Sequence, residues 1–184
     1  MSYELCNRVS INKKKNVIKL NTASNNVYPK CFSSWEFGKN MSFDEKMYEL
    51  FCGIIEGNLC FTSVNDSTVD FVYAEKKVKE YLAEQGLNFY GLWNLQGQER
   101  ESKYKEVYNV FIRAFNEVFS GEYSVKINGI KIAKLGKYSG NYGCYSKAYY
   151  SCNDRDSIKT SYKKAYIVAS GFKNAEVVKL DWVV

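Results

Sequence analysis

The chain contains no histidine. That absence removes Ser-His-Asp and Cys-His nucleophilic catalysis, the H-E-x-x-H zinc site and the paired-histidine ribonuclease mechanism. Any chemistry must then rest on carboxylates, Lys, Arg, Tyr or Cys. Proline is almost missing as well, Pro29 being the only one. Neither a G-x-x-x-x-G-K-[ST] loop nor a G-x-G-x-x-G turn occurs, so nucleotide hydrolysis and dinucleotide binding lose their main support. No run approaches the ~20 apolar residues of a membrane helix. Residues Met1 to Arg8 hold no apolar targeting segment. These absences predict a cytoplasmic protein with no membrane partner and no cofactor, and they leave its oligomeric state open.

Six cysteines are scattered: Cys6, Cys31, Cys52, Cys60, Cys144 and Cys152. No C-x-x-C knuckle is present and no histidine can complete a mixed site, so no metal is expected. In a reducing compartment the cysteines read as free thiols, with Cys144 and Cys152 able to face each other across a hairpin.

What is present is an uneven charge. Residues 121–184 carry eleven Lys or Arg against five acids, a surplus equal to the net charge of +6 of the whole 184-residue chain. Eight of the 16 tyrosines lie in the same stretch. Cations beside planar aromatics suit a partner with phosphates and base faces. The plainer reading is a solvated surface with tyrosines in the core.

Periodicity predicts an α+β fold over a single domain, 1–184, divisible into a neutral helical part, 1–121, and a basic β-rich part, 122–184. Strand-like runs near 4–11 and 16–21, joined by a lysine-rich turn at 12–16, open the chain as a short hairpin. Residues 22–40 read as an irregular segment with an aromatic cluster of Tyr28, Phe32, Trp35 and Phe37. Three central helices follow. The first starts on the S-x-x-E capping box of Ser42 and Glu45 and stops at Gly57. The second runs from Ser67 to Gln85, and the third over about 99–119, with 87–98 as a connector.

At residue 122 the period changes to two. Tyr123 to Ile127, then Asn128-Gly129, then Ile130 to Lys134 is a two-residue hairpin signal. Its register places Ile127 opposite Ile130 and Val125 opposite Ile132. The other side then places Lys126 opposite Lys131. Opposed like charges are unfavourable on a sheet, so the pair either holds an anion or guards an edge strand. A further helix over about 157–169, capped by Ser157 or Asp156, would align Arg155, Lys159 and Lys163 as a cationic ridge. A final strand alternates through Val178, Leu180, Trp182 and Val184.

Three readings compete. In the first, the chain binds nucleic acid or a ribonucleoprotein. Lys126, Lys131, Lys134 and Lys137, with Arg155, Lys159, Lys163 and Lys164, contact phosphates, and Tyr138, Tyr142, Tyr145 and Tyr149 stack on bases. In the second, it is a histidine-independent ribonuclease or guide-RNA-processing factor, with Glu36 or Glu122 moving the proton. In the third, it is a protein-interaction module anchored by the aromatic loop, its charge incidental.

Two segments carry a resemblance. Ala23-Ser-Asn-Asn-Val-Tyr-Pro-Lys30 followed by Trp35-Glu36, and Ser161-Tyr-Lys-Lys-Ala-Tyr-Ile-Val-Ala-Ser170, resemble small proteins carried by phages and conjugative elements of Gram-positive bacteria. Some of these are anti-CRISPR proteins that act on Cas9. The resemblance implies an inhibitor of the Cas9–guide RNA complex in the host cytoplasm, and it carries over no catalytic residue. DNA mimics are acidic and this chain is basic. Such an inhibitor would therefore touch RNA, DNA or an acidic Cas9 patch.

Overall fold

A computed structural model describes residues 4–24, 32–33, 37–118, 121–135, 138–139, 144–145, 148–150 and 157–180. For 23–24, 32–33, 133–135, 138–139, 144–145 and 148–150 it describes the backbone alone. The fold is α+β. Its elements are β1 (Glu4–Asn12), β2 (Val17–Ser24), β3 (Phe32–Ser33), α1 (Phe43–Ile55), β4 (Leu59–Phe61), α2 (Val69–Glu84), α3 (Phe89–Trp93), α4 (Gly97–Glu117), β5 (Tyr123–Ile127), β6 (Ile130–Leu135), β7 (Tyr138–Ser139), β8 (Cys144–Tyr145), β9 (Ala148–Tyr150), α5 (Tyr162–Ser170) and β10 (Ala175–Lys179). They gather into two compact units, Met1–Thr62 with Phe71–Phe115, and Ser63–Asp70 with Asn116–Val184.

In the first unit a sheet of order β3-β2-β1-β4 lies with α1, α3 and most of α2 and α4. The opening hairpin forms because Val9 pairs with Leu20 and Ile11 with Ile18, which gives it one apolar face. A bulge between Cys6 and Arg8 shifts the alternation, so Cys6 joins Val9 on the buried side. The parallel strand β4 beside β1 was not anticipated; three residues are too few to show a period. Helix α1 starts as expected. The Ser42 Oγ accepts from the Glu45 N–H, and the Glu45 carboxylate accepts from the Ser42 N–H. Phe51, Phe71 and Phe111 are fully buried and meet aromatic neighbours in edge-on, tilted and stacked contacts, with Phe51 and Phe111 centroids 5.4 Å apart. Such pairs add to area burial in holding helices together. The expected connector 87–98 contains the short helix α3, capped by Asn88 accepting from the Gly91 N–H.

In the second unit the sheet order is β10-β5-β6-β9, and α5 covers one face. Val125, Ile127 and Ile132 pack there against Ala165 and Val168. β7 and β8 form a separate two-stranded pair. Two expectations need correction. The last helix begins at Tyr162 with Ser161 as its cap, not near 157. Residues before it are recruited by the sheet: Thr160 and Tyr123 exchange both backbone hydrogen bonds, and the Ile158 N–H donates to the Ile132 carbonyl. The final described strand spans Ala175–Lys179 and starts before the alternation suggested, because it pairs with β5 from Ala175↔Ile127 to Lys179↔Tyr123; Trp182 and Val184 of the expected strand lie outside the described residues.

Candidate nucleic-acid interface

The β5–β6 turn is the local feature on which this surface depends. Asn128 and Gly129 both take positive φ, 52° and 79°, the primed turn that matches strand twist. The turn fixes Ile127 opposite Ile130 and Lys126 opposite Lys131. With the apolar side turned to α5, the two lysines occupy the opposite face, each half-buried. β5 and β6 are the inner strands of the four. Edge protection therefore does not account for the opposed pair.

The expected Val125–Ile132 pairing is not part of the ladder, which holds Lys126↔Lys131 and Ile127↔Ile130. Residues 158–160 adjoin the opened strands instead. Ile158 packs with the core, so the alternation puts exposed Lys159 on the side of Lys126 and Lys131. Between them on β5, Ser124 is fully buried, and its hydroxyl has no hydrogen-bond partner among the described residues. On the other flank, Glu176 lies directly opposite Lys126.

The remaining candidates divide. Lys163 does not join a helical ridge with Lys159, because Lys159 precedes the helix. It lies in the first turn of α5, with its Nζ 3.5 Å from Asp70 Oδ1. Burial raises the Asp70 carboxyl above its ordinary range, and the Lys163 ammonium works against that rise. Lys164 is exposed on the same turn. Lys134 pairs with Tyr149 across β6 and β9, and Tyr138 with Tyr145 across β7 and β8, their side chains lying outside the described residues. Lys137, Tyr142, Arg155 and Glu36 lie outside them altogether, as do Cys152 and the side chain of Cys144. The tyrosines of this unit whose side chains are described pack on each other. Tyr123 meets Tyr162 edge-on at 4.8 Å, and Tyr162 is 6.1 Å from Tyr166. These rings are part of the packing.

Glu122 is exposed at the entry to β5, where its carbonyl accepts from the Leu180 N–H at 3.2 Å. No hydrogen bond or ion pair of its carboxylate occurs among the described residues. No three Cys, Asp or Glu side chains converge on a metal position among them. Cys6, Cys52 and Cys60 are free thiols.

A second polar cluster lies in the first unit. Arg100 donates to Glu56 at 3.0 Å and to the Tyr104 hydroxyl at 3.2 Å. Nearby, burial pushes Tyr48 and Tyr108 up to about 12 and Cys52 up to about 11. An activated nucleophile or base is shifted toward neutrality. These groups are shifted away from it, so the cluster reads as structural. Comparisons with protein-family models, curated proteins and solved structures found no match to this chain.

Proposed function

We propose that this chain binds a polyanion, nucleic acid or a ribonucleoprotein, through the sheet face that carries Lys126, Lys131 and Lys159. The observation that carries this reading is the direct opposition of Lys126 and Lys131 on inner strands. Opposed like charges on a sheet cost stability, within a range of ~0.2–1 kcal/mol for such pairs. A phosphate held between the two ammonium groups turns that repulsion into attraction. The resemblance of 23–36 and 161–170 supports a finer form of the reading, in which the polyanion is a Cas9–guide RNA complex and the protein its inhibitor in the host cytoplasm.

The test uses the full chain and its Lys126→Glu/Lys131→Glu variant, titrated with labelled RNA, DNA and Cas9–guide RNA complex at rising salt. Binding that weakens with salt and is weakened, though not abolished, in the variant supports the reading. An affinity that ignores both salt and the variant overturns it. Target-DNA cleavage and guide length, followed in one reaction, separate inhibition from ribonuclease action: a shortened guide favours the ribonuclease.

A further inference from the structure

The opening hairpin holds a second cationic surface. The face of β1 and β2 opposite the core carries Arg8, Ser10, Lys19 and Asn21, all exposed, in the pairs Arg8↔Asn21 and Ser10↔Lys19. Arg8 and Lys19 are diagonal neighbours on that face, ~7 Å apart by ladder geometry. The hairpin's tip is a 3-10 turn of Lys13, Lys14 and Lys15, all exposed. No ion pair to any of these five cations occurs among the described residues, and from Leu5 to Asn21 the hairpin contains no acid.

The tip is held in place. The Asn12 side chain caps it by accepting from the Lys15 N–H at 3.1 Å, and Asn16 closes it in the left-handed region at φ 51°. The Asn16 amide donates to the Met41 carbonyl at 2.8 Å, and Lys46 of α1 donates to the Asn16 carbonyl. Lys13 lies 5.5 Å over the Phe43 ring and Lys46 lies 5.7 Å over Phe37. Lys39 is exposed close by in sequence. A positive field fixed by a closed turn and by α1 loses little freedom when it meets a ligand.

We propose that this face of the β1–β2 hairpin is a nucleic-acid backbone-binding surface, independent of the lysine pair on β5 and β6. Charge complementarity selects a polyanion. Ser10 and Asn21 lie between the cations with side chains suited to sugar and phosphate oxygens. An anionic membrane is a poorer fit, because surface-binding elements pair cations with large exposed apolar anchors, and the positions between Arg8 and Lys19 are the polar Ser10 and Asn21. An acidic protein is a poorer fit too, because such interfaces centre on aromatic or apolar anchors.

The experiment measures fluorescence anisotropy of labelled duplex and single-stranded oligonucleotides with the full chain across a sodium chloride series. The variants are Lys13→Gln/Lys14→Gln/Lys15→Gln and Arg8→Gln/Lys19→Gln. All five side chains are exposed, so circular dichroism and melting temperature should stay at the wild-type values. The triple variant should lose at least about tenfold in affinity at low salt, with the slope of log K against log salt falling by about 2–3. The double variant should lose less, in the same direction. Wild-type affinity and slope in both variants would overturn the proposal. So would wild-type protein that binds phosphatidylserine vesicles but neither oligonucleotide. The Lys126→Glu/Lys131→Glu protein keeps this hairpin intact and should retain salt-dependent binding to the oligonucleotides; complete loss there, with the hairpin variants unaffected, assigns all binding to the other surface and overturns this one.

Discussion

Lys163 Nζ stands 3.5 Å from Asp70 Oδ1, an ion pair that ties the first turn of α5 to the start of α2 within the second unit. The two partners are unequal. Asp70 is almost wholly buried, and its Oδ1 has no hydrogen bond of good geometry among the described residues. The carboxylate therefore depends on the ammonium more than the reverse. Removing the cation should cost more than neutralising the acid. Lys163→Met should destabilise by about 1–3 kcal/mol, below the value for a fully buried pair because Lys163 keeps some solvent. Asp70→Asn should cost less than about 1 kcal/mol. Urea midpoints of the two variants check the order.

The same carboxyl gives a pH dependence. Its folded pKa is raised by burial, with Lys163 opposing. Between the unfolded value, about 4, and the raised folded value, the folded state holds the extra proton. Stability from this group is therefore present at low pH and lost as pH rises through that window. The difference in unfolding free energy between wild type and Asp70→Asn should move in favour of the variant as pH increases from about 4 to 7. A difference independent of pH would show that Asp70 titrates normally.

How much of this was legible in the sequence depended on how local each signal was. Ser42 with Glu45, and Asn128 with Gly129, state their structures within four residues, and both formed as read. The start of α5 was misplaced because Ser157 and Ser161 are both able to cap, and the choice was made by Tyr123, which takes Thr160 as a strand partner. Asp70 and Lys163 are distant in sequence, so nothing local pairs them. The cationic hairpin face was hidden by averaging. Acids on α1, α2 and α4 cancel its lysines in the net charge of the first two thirds, although the polar positions 8, 10, 19 and 21 alternate with the core residues Val9, Ile18 and Leu20.

Cys52 should be a slow thiol. Burial and the nearby Glu56 push it up to about 11, against about 8.5 for an ordinary cysteine. At pH 8 its thiolate fraction, and so its alkylation by iodoacetamide, should be about a hundredfold below that of the unfolded chain. Mass spectrometry of the alkylated peptide measures this. The linkage runs the same way: Cys52 withdraws stability as pH rises from about 8.5 toward 11. Equal alkylation rates in folded and unfolded protein would mean that the thiol is not shielded.

Helix α5 lacks the device that starts α1. Ser161 caps it by accepting from the Lys164 N–H at 3.3 Å, but the residue at the third helical position is Lys164, where α1 has Glu45. A cation there opposes the helix dipole. Lys164→Glu would complete a capping box and reverse that sign, adding about 0.5–1 kcal/mol to the stability of the second unit. Thermal unfolding with circular dichroism checks it. An unchanged or lower melting temperature would mean that Lys164 is held by something stronger than its local helix field.

Glu176 is the acid directly across from Lys126, on β10. If the face of Lys126 and Lys131 meets phosphates, Glu176 opposes the same ligand. Cross-strand neighbours stand ~5 Å apart, and one unit charge at that distance in a solvated setting is worth about 0.8 kcal/mol. Glu176→Gln should therefore tighten oligonucleotide binding about two- to fivefold at low salt, the gain shrinking as salt is raised. Glu176 is exposed, so the fold should tolerate the change. Anisotropy titrations of wild type and variant at two salt concentrations measure it. A variant that binds no tighter than wild type, while Lys126→Glu/Lys131→Glu still binds normally, would place the phosphates on some other surface.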